Sequence, residues 1–360
     1  METDPADVGL KARLIGKFFS FAGEFFSFVR QVRIACDPDR LVIRYRIGQA
    51  RHAMQISAPL QPSVQPAHDP ATASCNFARA ESRVLGVTAA VGYLAPMPER
   101  PYNYMYEPGA GQAWQNCEYR MSLVWITDAR TMASSNTIDL EGFELWDAPT
   151  SMADFDDEDT IRRHYYAEAA ELAKCVTKAD HAYVFDHLLR RREAGRPALH
   201  FGRKGNEGGR PGAVGRVHTD YSETSGLKRL DLVVLNPEDR SRLRRFAIVN
   251  IWRSIRAKIV DTPLALCDAR TVAAKDLVAS DIFYPNRRGE IYLVQQSPHH
   301  HWAYYSGMDI HEALIFKQYD SQVNGVARFT PHTAFDLPDT PPDAPLRESI
   351  EIRCLVTYDQ

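Results

Sequence analysis

Hydrophobic and polar positions alternate in the C-terminal third of the chain in a way that is typical of β-strands. Short runs rich in β-branched and aromatic residues, each bounded by turn residues, occupy 244–253, 289–296, 312–320 and 348–359. Earlier, residues 157–178 have the composition of a helix, and 181–189 have the pattern of a short strand. This order predicts a β-sandwich or barrel with helices packed on it.

The first part of the chain lacks this pattern and predicts a separate appendage. Residues 56–72 are rich in proline without periodicity, which predicts a linker. Residues 16–31 repeat Phe-Phe-Ser-Phe at a spacing of seven, interrupted by Glu24. We interpret this segment as an amphipathic helix that packs on the body or on a second subunit, as in a homodimer, with a membrane-surface role as the alternative. The predicted domains are 1–84, a helical appendage with its linker, and 85–360.

An arginine- and glycine-rich stretch at 190–212 has no apolar period and predicts a long loop. A solvated basic loop is one interpretation. A lid or substrate loop is the other, because long loops in compact domains are often functional.

Composition and charge narrow the classes of function. The net charge of −3 argues against a nucleic-acid partner. No apolar run is long enough to span a bilayer. The six cysteines show no C-x-x-C spacing and no dense framework, which is typical of reduced thiols in a cytoplasmic protein.

The stretch GRVHTDYS, residues 215–222, places His218 and Asp220 two positions apart. On a strand, both side chains would face the same way and could bind a metal, although one such pair is also expected by chance. A facial triad for non-haem Fe(II) needs a second histidine. The candidates are the run at 299–301, which we interpret as exposed or turn histidines, and His332, which precedes the last strand and is the better placed.

The last strand carries a second candidate feature. Arg347, Ser349, Glu351 and Arg353 would share one face of it, alternating with apolar positions such as Ile350. An arginine that faces into a barrel needs an anionic partner, because an unpaired buried charge is very costly. A dicarboxylate ligand would supply one, since arginine binds carboxylate bidentately and serine adds a donor.

Together, these motifs resemble the Fe(II)/2-oxoglutarate-dependent oxygenases. More closely, the stretches VHTDYSETSGLKRL, NIWR, PLALCDARTV, HWAYYSGMDIHEALIFKQYDS and RFTPHTAFDLPDTPPDAPLRESIEIR resemble the AsaB-like hydroxylase/desaturase family, which includes gibberellin-desaturase-like and cephamycin CmcJ-like proteins of secondary metabolism. The segments ITDAR and LEGFELWDAPTSMADFDDEDTIRRHYYAE are also similar to that family. The resemblance runs from about residue 85 to the C-terminus.

The resemblance implies an α+β, mainly β protein with a double-stranded β-helix (a jelly-roll, cupin-like core) and flanking helices. It implies that His218, Asp220 and His332 are the iron ligands. Arg347 with Ser349 would hold the distal carboxylate of 2-oxoglutarate, with Arg353 as the alternative arginine. The candidate substrate-binding residues are Asn250, Trp252, Arg253 and Tyr305, for which core packing or a surface ion pair is the alternative role.

The implied function is oxidation of a C–H bond in a small-molecule intermediate of secondary metabolism, with Fe(II), 2-oxoglutarate and O2. Hydroxylation, desaturation and oxidative ring formation all remain open. Three other functions are considered. An iron oxidase of the same fold would not need Arg347 and Ser349, and a non-catalytic substrate-binding partner would not need the triad. A zinc hydrolase is disfavoured because the chain has no H-E-x-x-H or similar helix.

Overall fold

The computed structural model describes residues 84–359, except 195–196, 198 and 202–211, together with the backbone of 29–37, 40–47 and 50–56. The chain divides into two compact units, Met1–Ala78 and Arg79–Gln360. The described strands of the first unit are β1 (Val29–Asp37), β2 (Arg40–Ile47) and β3 (Ala50–Ile56), which pair antiparallel in that order.

This small sheet differs from the predicted helical appendage. The predicted helix at 16–31 and the predicted linker at 56–72 lie outside the described residues, apart from 29–31 in β1 and Ile56 in β3. The helix was predicted from the Phe repeat alone. In β2, however, Leu41, Ile43 and Tyr45 alternate with Arg44 and Arg46, and this period of two is typical of a strand.

The second unit is built mainly from strands. They are β4 (Gly86–Leu94), β5 (Tyr102–Tyr104), β6 (Tyr119–Asp128), β7 (Phe143–Asp147), β8 (His181–Arg191), β9 (Leu199–His200), β10 (Ala213–Val214), β11 (His218–Thr219), β12 (Leu243–Ser254), β13 (Leu264–Cys267), β14 (Leu277–Phe283), β15 (Arg288–Val294), β16 (Trp302–Tyr304), β17 (Glu312–Asp320), β18 (His332–Ala334) and β19 (Glu348–Asp359).

Helices flank these strands. They are α1 (Glu158–Thr160), a π-helical turn (Ile161–Tyr165), α2 (Tyr166–Thr177), α3 (Glu223–Val233) and α4 (Pro237–Ser241), with short 3-10 turns at Ala129–Thr131, Ala269–Thr271 and Ala274–Asp276. No helix of the described residues is long and apolar enough to cross a membrane. The helix predicted at 157–178 and the five strands predicted between 181 and 359 are confirmed.

Two sheets form the core. One has nine strands in the order β4-β6-β16-β13-β18-β11-β15-β14-β5, and the other has five in the order β7-β17-β12-β19-β8. The short strands β9 and β10 form a separate parallel pair. This arrangement is consistent with the jelly-roll core that the resemblance implied.

The alternation along β12 and β19 separates two faces of the five-stranded sheet. On one face, Ile350 and Ile352 of β19 pack against Ala169 and Ala173 of α2. On the other face, Trp252 of β12 packs with Leu264 and Leu266 of the nine-stranded sheet. The polar residues of β19, which sit at the positions between these isoleucines, therefore face the space between the two sheets.

Candidate metal and co-substrate site

Two histidines and one aspartate converge between the sheets. His218 of β11 lies directly opposite His332 of β18, and the two ring centroids are 4.4 Å apart. Asp220 follows the end of β11, with its Oδ1 3.6 Å from Nε2 of His218. One ligand atom from each of the three residues lies within 4.8 Å of the other two. In the described part of the chain, this is the one group of three or more His, Cys, Asp or Glu side chains that could hold a metal.

Hydrogen bonds orient both imidazole rings towards the centre of this cluster. Nδ1 of His218 lies 2.9 Å from the carbonyl oxygen of Arg216, and Nδ1 of His332 lies 3.3 Å from that of Thr330. Each carbonyl accepts a hydrogen bond from Nδ1–H, which leaves Nε2 free to bind a metal. Burial, followed by the charge of His218, lowers the pKa of His332 to about 3, so this ring is neutral at physiological pH.

One oxygen of Asp220 is held by the protein. Oδ2 accepts from Nδ2 of Asn250 at 2.8 Å and from Nε of Arg353 at 3.3 Å. The backbone N–H of Asp220 donates to Oε1 of Gln318 at 2.7 Å. Burial acts to raise the pKa of Asp220, but the charge of Arg353 and the hydrogen bond to His218 outweigh it, so the pKa lies well below its usual range. The side chain is therefore an oriented carboxylate with Oδ1 directed at the cluster.

The two arginines that the sequence left as alternatives have different partners. Besides Asp220, Arg353 contacts Asp186 and Glu351, each at 2.9 Å. Its charge is therefore fully paired within the protein.

Arg347, by contrast, donates from a terminal nitrogen to the carbonyl oxygen of Thr262 at 2.8 Å and from Nε to Oγ of Ser349 at 3.4 Å. Its guanidinium carbon lies 5.0 Å from the ring centroid of Trp252. Arg347 forms no ion pair with any carboxylate of the described residues. Burial lowers the pKa of this guanidinium to about 10, so it stays charged at physiological pH.

A single cavity connects the histidine–aspartate cluster with Arg347. Its wall is formed by Arg190, Val214, His218, Asp220, Trp252, Leu264, His332, Ala334, Arg347 and Glu351. Sequence reasoning gave no role to Arg190, Glu351 or the supporting Gln318. The period of two on β19 placed Glu351 on the right face, whereas Arg190 was assigned to a loop.

Other predicted residues are not brought to this cavity. Arg253 lies on the helix-facing side of β12, with its guanidinium 5.3 Å from the ring of Tyr165 and a hydrogen bond of 2.8 Å to the carbonyl of Ala148. Tyr305 packs edge-on against Phe143, at 6.4 Å between centroids, and accepts from Asn136 at 3.3 Å.

The histidine run at 299–301 also lies elsewhere. His299 and His301 are exposed, as predicted, whereas the side chain of His300 is buried, with its ring nitrogens 3.0 Å from Tyr93 and 3.3 Å from Asp276. His300 therefore has a packing role outside the cavity.

Comparisons with known proteins agree with this geometry. A family model described as an oxidoreductase/YMDC permease-like domain matches residues 91–357. The hydroxylase/desaturase CTB9 of Cercospora beticola is 32% identical over 298 residues, which cover 73% of this chain and 89% of CTB9. The Fe(II)/2-oxoglutarate-dependent dioxygenase nvfI of Aspergillus novofumigatus is 31% identical over 262 residues, 70% of this chain and 89% of nvfI. The chain belongs to this family of Fe(II)/2-oxoglutarate-dependent dioxygenases and hydroxylase/desaturases.

Further similarities support the family assignment. The hydroxylase/desaturase asaB of Aspergillus flavus is 42% identical over 153 residues, 39% of this chain and 66% of asaB. A solved structure of the iron and alpha-ketoglutarate-dependent endoperoxidase NvfI matches with a TM-score of 0.66 and 28% identity, covering 77% of this chain and all of that chain. The predicted resemblance, fold and enzyme class are thereby confirmed. Fe(II), 2-oxoglutarate and O2 are the metal and co-substrates of this dioxygenase family.

The side chains fit that metal. Two imidazoles with free Nε2 atoms and one carboxylate make a 2-His-1-carboxylate set, which leaves positions open on a non-haem Fe(II). The relatives compared above are iron- and 2-oxoglutarate-dependent oxidoreductases, which argues against the zinc-hydrolase alternative.

Proposed function

We propose that His218, Asp220 and His332 hold Fe(II), that Arg347 and Ser349 bind the distal carboxylate of 2-oxoglutarate, and that the enzyme oxidises a C–H bond of a small-molecule intermediate in secondary metabolism. One observation carries the proposal. A cluster of metal-ligating side chains and a buried guanidinium without a carboxylate partner among the described residues line the same cavity. The cavity therefore offers one site for the metal and one for an anion.

When bound, Fe(II) with O2 and 2-oxoglutarate supplies the oxidation of the C–H bond, with succinate and CO2 as the co-products. The protein's part is positioning. Asn250 and Arg353 hold Oδ2 of Asp220 so that Oδ1 remains for the metal. Arg347 would grip a carboxylate with its planar fork. Trp252 and Leu264 supply apolar surface to the cavity wall beside the cluster.

The type of oxidation depends on which C–H bond the cavity places near the metal. CTB9 is named a hydroxylase/desaturase and NvfI an endoperoxidase, so similar chains carry out different oxidations. For this chain we propose hydroxylation, desaturation or oxidative ring formation of a small molecule.

The experiment measures iron content and succinate release together. The anaerobically purified protein is loaded with Fe(II), given 2-oxoglutarate and air, and assayed for succinate with and without candidate metabolites. We expect slow succinate formation alone and faster formation with a substrate. O2 consumption without succinate would favour an iron oxidase that does not use 2-oxoglutarate. Bound iron without any turnover across the metabolites would favour a substrate-binding partner protein.

We also propose that the protein is a cytoplasmic homodimer. Cys117, Cys175, Cys267 and Cys354 are free, which supports a reducing compartment. A row of exposed apolar side chains on β6, including Leu123 and Trp125, supports burial against a second copy. Light scattering of the full chain tests this: a monomeric mass at micromolar concentration would contradict the dimer.

A further inference from the structure

A second guanidinium lines the cavity beside Arg347. Arg190 lies near the end of β8 and pairs across the sheet with Ser349 of β19. Arg347 lies two positions before Ser349, and its carbonyl accepts from the backbone N–H of Arg192 at 2.9 Å. Cross-strand partners point to the same face of a sheet. Arg190 and Arg347 therefore both lie next to Ser349 on this face, and both line the cavity.

The two carboxylates that line the cavity already form ion pairs with Arg353. Asp220 and Glu351 both accept from Arg353, at 3.3 Å and 2.9 Å. Glu351 acts electrostatically on Arg190, but no hydrogen bond joins them. The cavity thus contains two guanidinium groups, Arg190 and Arg347, for which the described residues offer no ion pair.

The bonding of Arg190 sets it apart from its neighbours on β8. It donates from one terminal nitrogen to the carbonyl oxygen of Gly212 at 2.9 Å. Arg191, on the other face, pairs with Asp156 and with Glu348. Arg192 pairs with Asp261 at 2.8 Å. Of these three successive arginines, Arg190 is the one that lines the cavity and the one without an ion pair among the described residues.

We propose that Arg190 is a second carboxylate-binding residue of this cavity. The inference rests on the proposed function, in which one carboxylate of 2-oxoglutarate lies at the metal and the other at Arg347. If Arg347 binds the distal carboxylate of 2-oxoglutarate, the guanidinium of Arg190 still has no anionic partner. An unpaired charge in a cavity wall is costly. Arg190 therefore binds a carboxylate that comes either from the primary substrate or, shared with Arg347, from 2-oxoglutarate itself.

The experiment uses the full chain loaded with Mn(II) under anaerobic conditions, with binding measured by calorimetry. The variants are Arg190→Gln, Arg190→Lys and, as a matched control, Arg191→Gln, which removes one positive charge from the opposite face of the same strand. Two ligand series are titrated. The first is 2-oxoglutarate alone. The second, added to the 2-oxoglutarate-saturated protein, compares phenylacetate and 3-phenylpropanoate with their primary amides.

Each source of the carboxylate has its own signature. If the primary substrate supplies it, the wild-type protein prefers the acids over the amides, Arg190→Gln abolishes this preference, and the affinity for 2-oxoglutarate stays within about twofold. If 2-oxoglutarate supplies it, Arg190→Gln weakens 2-oxoglutarate binding by about tenfold or more, as expected for loss of a charge-assisted contact. In both cases Arg190→Lys retains part of the effect, and Arg191→Gln behaves like the wild type.

Three results would overturn the inference. The first is unchanged 2-oxoglutarate affinity in Arg190→Gln together with equal binding of acids and amides by the wild type. The second is an acid preference that survives in a folded Arg190→Gln variant with unchanged 2-oxoglutarate affinity. The third is an equal loss in Arg191→Gln, which would indicate a general effect of net charge. Failure of the wild-type protein to bind 2-oxoglutarate at all would instead contradict the proposed function.

Discussion

Replacing Arg347 by glutamine should remove most of the affinity for 2-oxoglutarate. Burial lowers the pKa of this guanidinium from 12.5 to about 10, which corresponds to a penalty on the order of 3 kcal/mol for keeping it charged in the cavity. A carboxylate ligand relieves that penalty by forming a charge-assisted contact worth roughly 1.5–3 kcal/mol. We therefore expect Arg347→Gln to raise the Kd for 2-oxoglutarate by about 10- to 150-fold.

The chain offers a close control for this variant. Arg253 is 3% exposed and Arg347 is 4% exposed, both donate to backbone carbonyls, and both lie over an aromatic ring. They differ in the face of the sheet that they occupy. Arg253→Gln should leave the affinity for 2-oxoglutarate within about twofold, although it removes packing against Tyr165 and should lower the melting temperature.

Calorimetry on the Mn(II)-loaded proteins measures the Kd, and thermal denaturation with and without 2-oxoglutarate measures stability. The rise in melting temperature that 2-oxoglutarate causes should be lost in Arg347→Gln and retained in Arg253→Gln, because only ligand that binds the native state stabilises it. Equal loss of affinity in both variants, or full affinity in Arg347→Gln, would refute the assignment of the anion site.

Three further outcomes are expected. His332→Ala should lose tight Fe(II) binding while His301→Ala keeps it, as measured by metal analysis of the purified proteins. Arg353→Gln should weaken Fe(II) binding by about 10- to 100-fold, because Arg353 orients Oδ2 of Asp220; unchanged iron affinity would contradict this. The affinity for 2-oxoglutarate should be level between about pH 7 and 9 and fall as the pH passes about 10, where Arg347 loses its proton; a fall already complete at pH 8 would contradict it.

The alternation of polar and apolar residues in the sequence was enough to predict which polar residues share one face of the last strand. Arg347, Ser349, Glu351 and Arg353 do share a face, because side chains two residues apart on a strand point the same way. The same rule, applied to β12, places Asn250 and Arg253 on opposite faces of the sheet, because they are three positions apart on the strand. The expectation that Arg253 lies beside Asn250 in the pocket overlooked this parity.

The choice between Arg347 and Arg353 could not be made from sequence, because it depends on partners that are distant in the chain. Asp186, which pairs with Arg353, lies 167 residues earlier and is brought alongside by the register between β8 and β19. Arg190 was missed for a related reason. Its arginine-rich surroundings resemble a loop, but pairing with β19 extends the strand as far as Arg191.

The position of the three proposed metal ligands depends on contact between the two sheets. His218 and His332 belong to short strands of the nine-stranded sheet, and Asp220 follows the end of one of them. Gln318 of β17, in the five-stranded sheet, accepts from the backbone N–H of Asp220 at 2.7 Å, and its amide nitrogen lies 3.4 Å from Nδ1 of His332.

Gln318 therefore joins Asp220, which follows a strand of the nine-stranded sheet, to the five-stranded sheet, where Arg347 immediately precedes β19. Asn250 and Arg353, also on the five-stranded sheet, act on the same aspartate from that side. A shift of one sheet relative to the other would move Asp220 away from the two histidines, because hydrogen bonds weaken steeply with distance and angle. Packing of the sheets thus sets both the geometry of the His218–Asp220–His332 cluster and its distance from Arg347, which is why the motif alone predicts the cluster but not the neighbours that hold it.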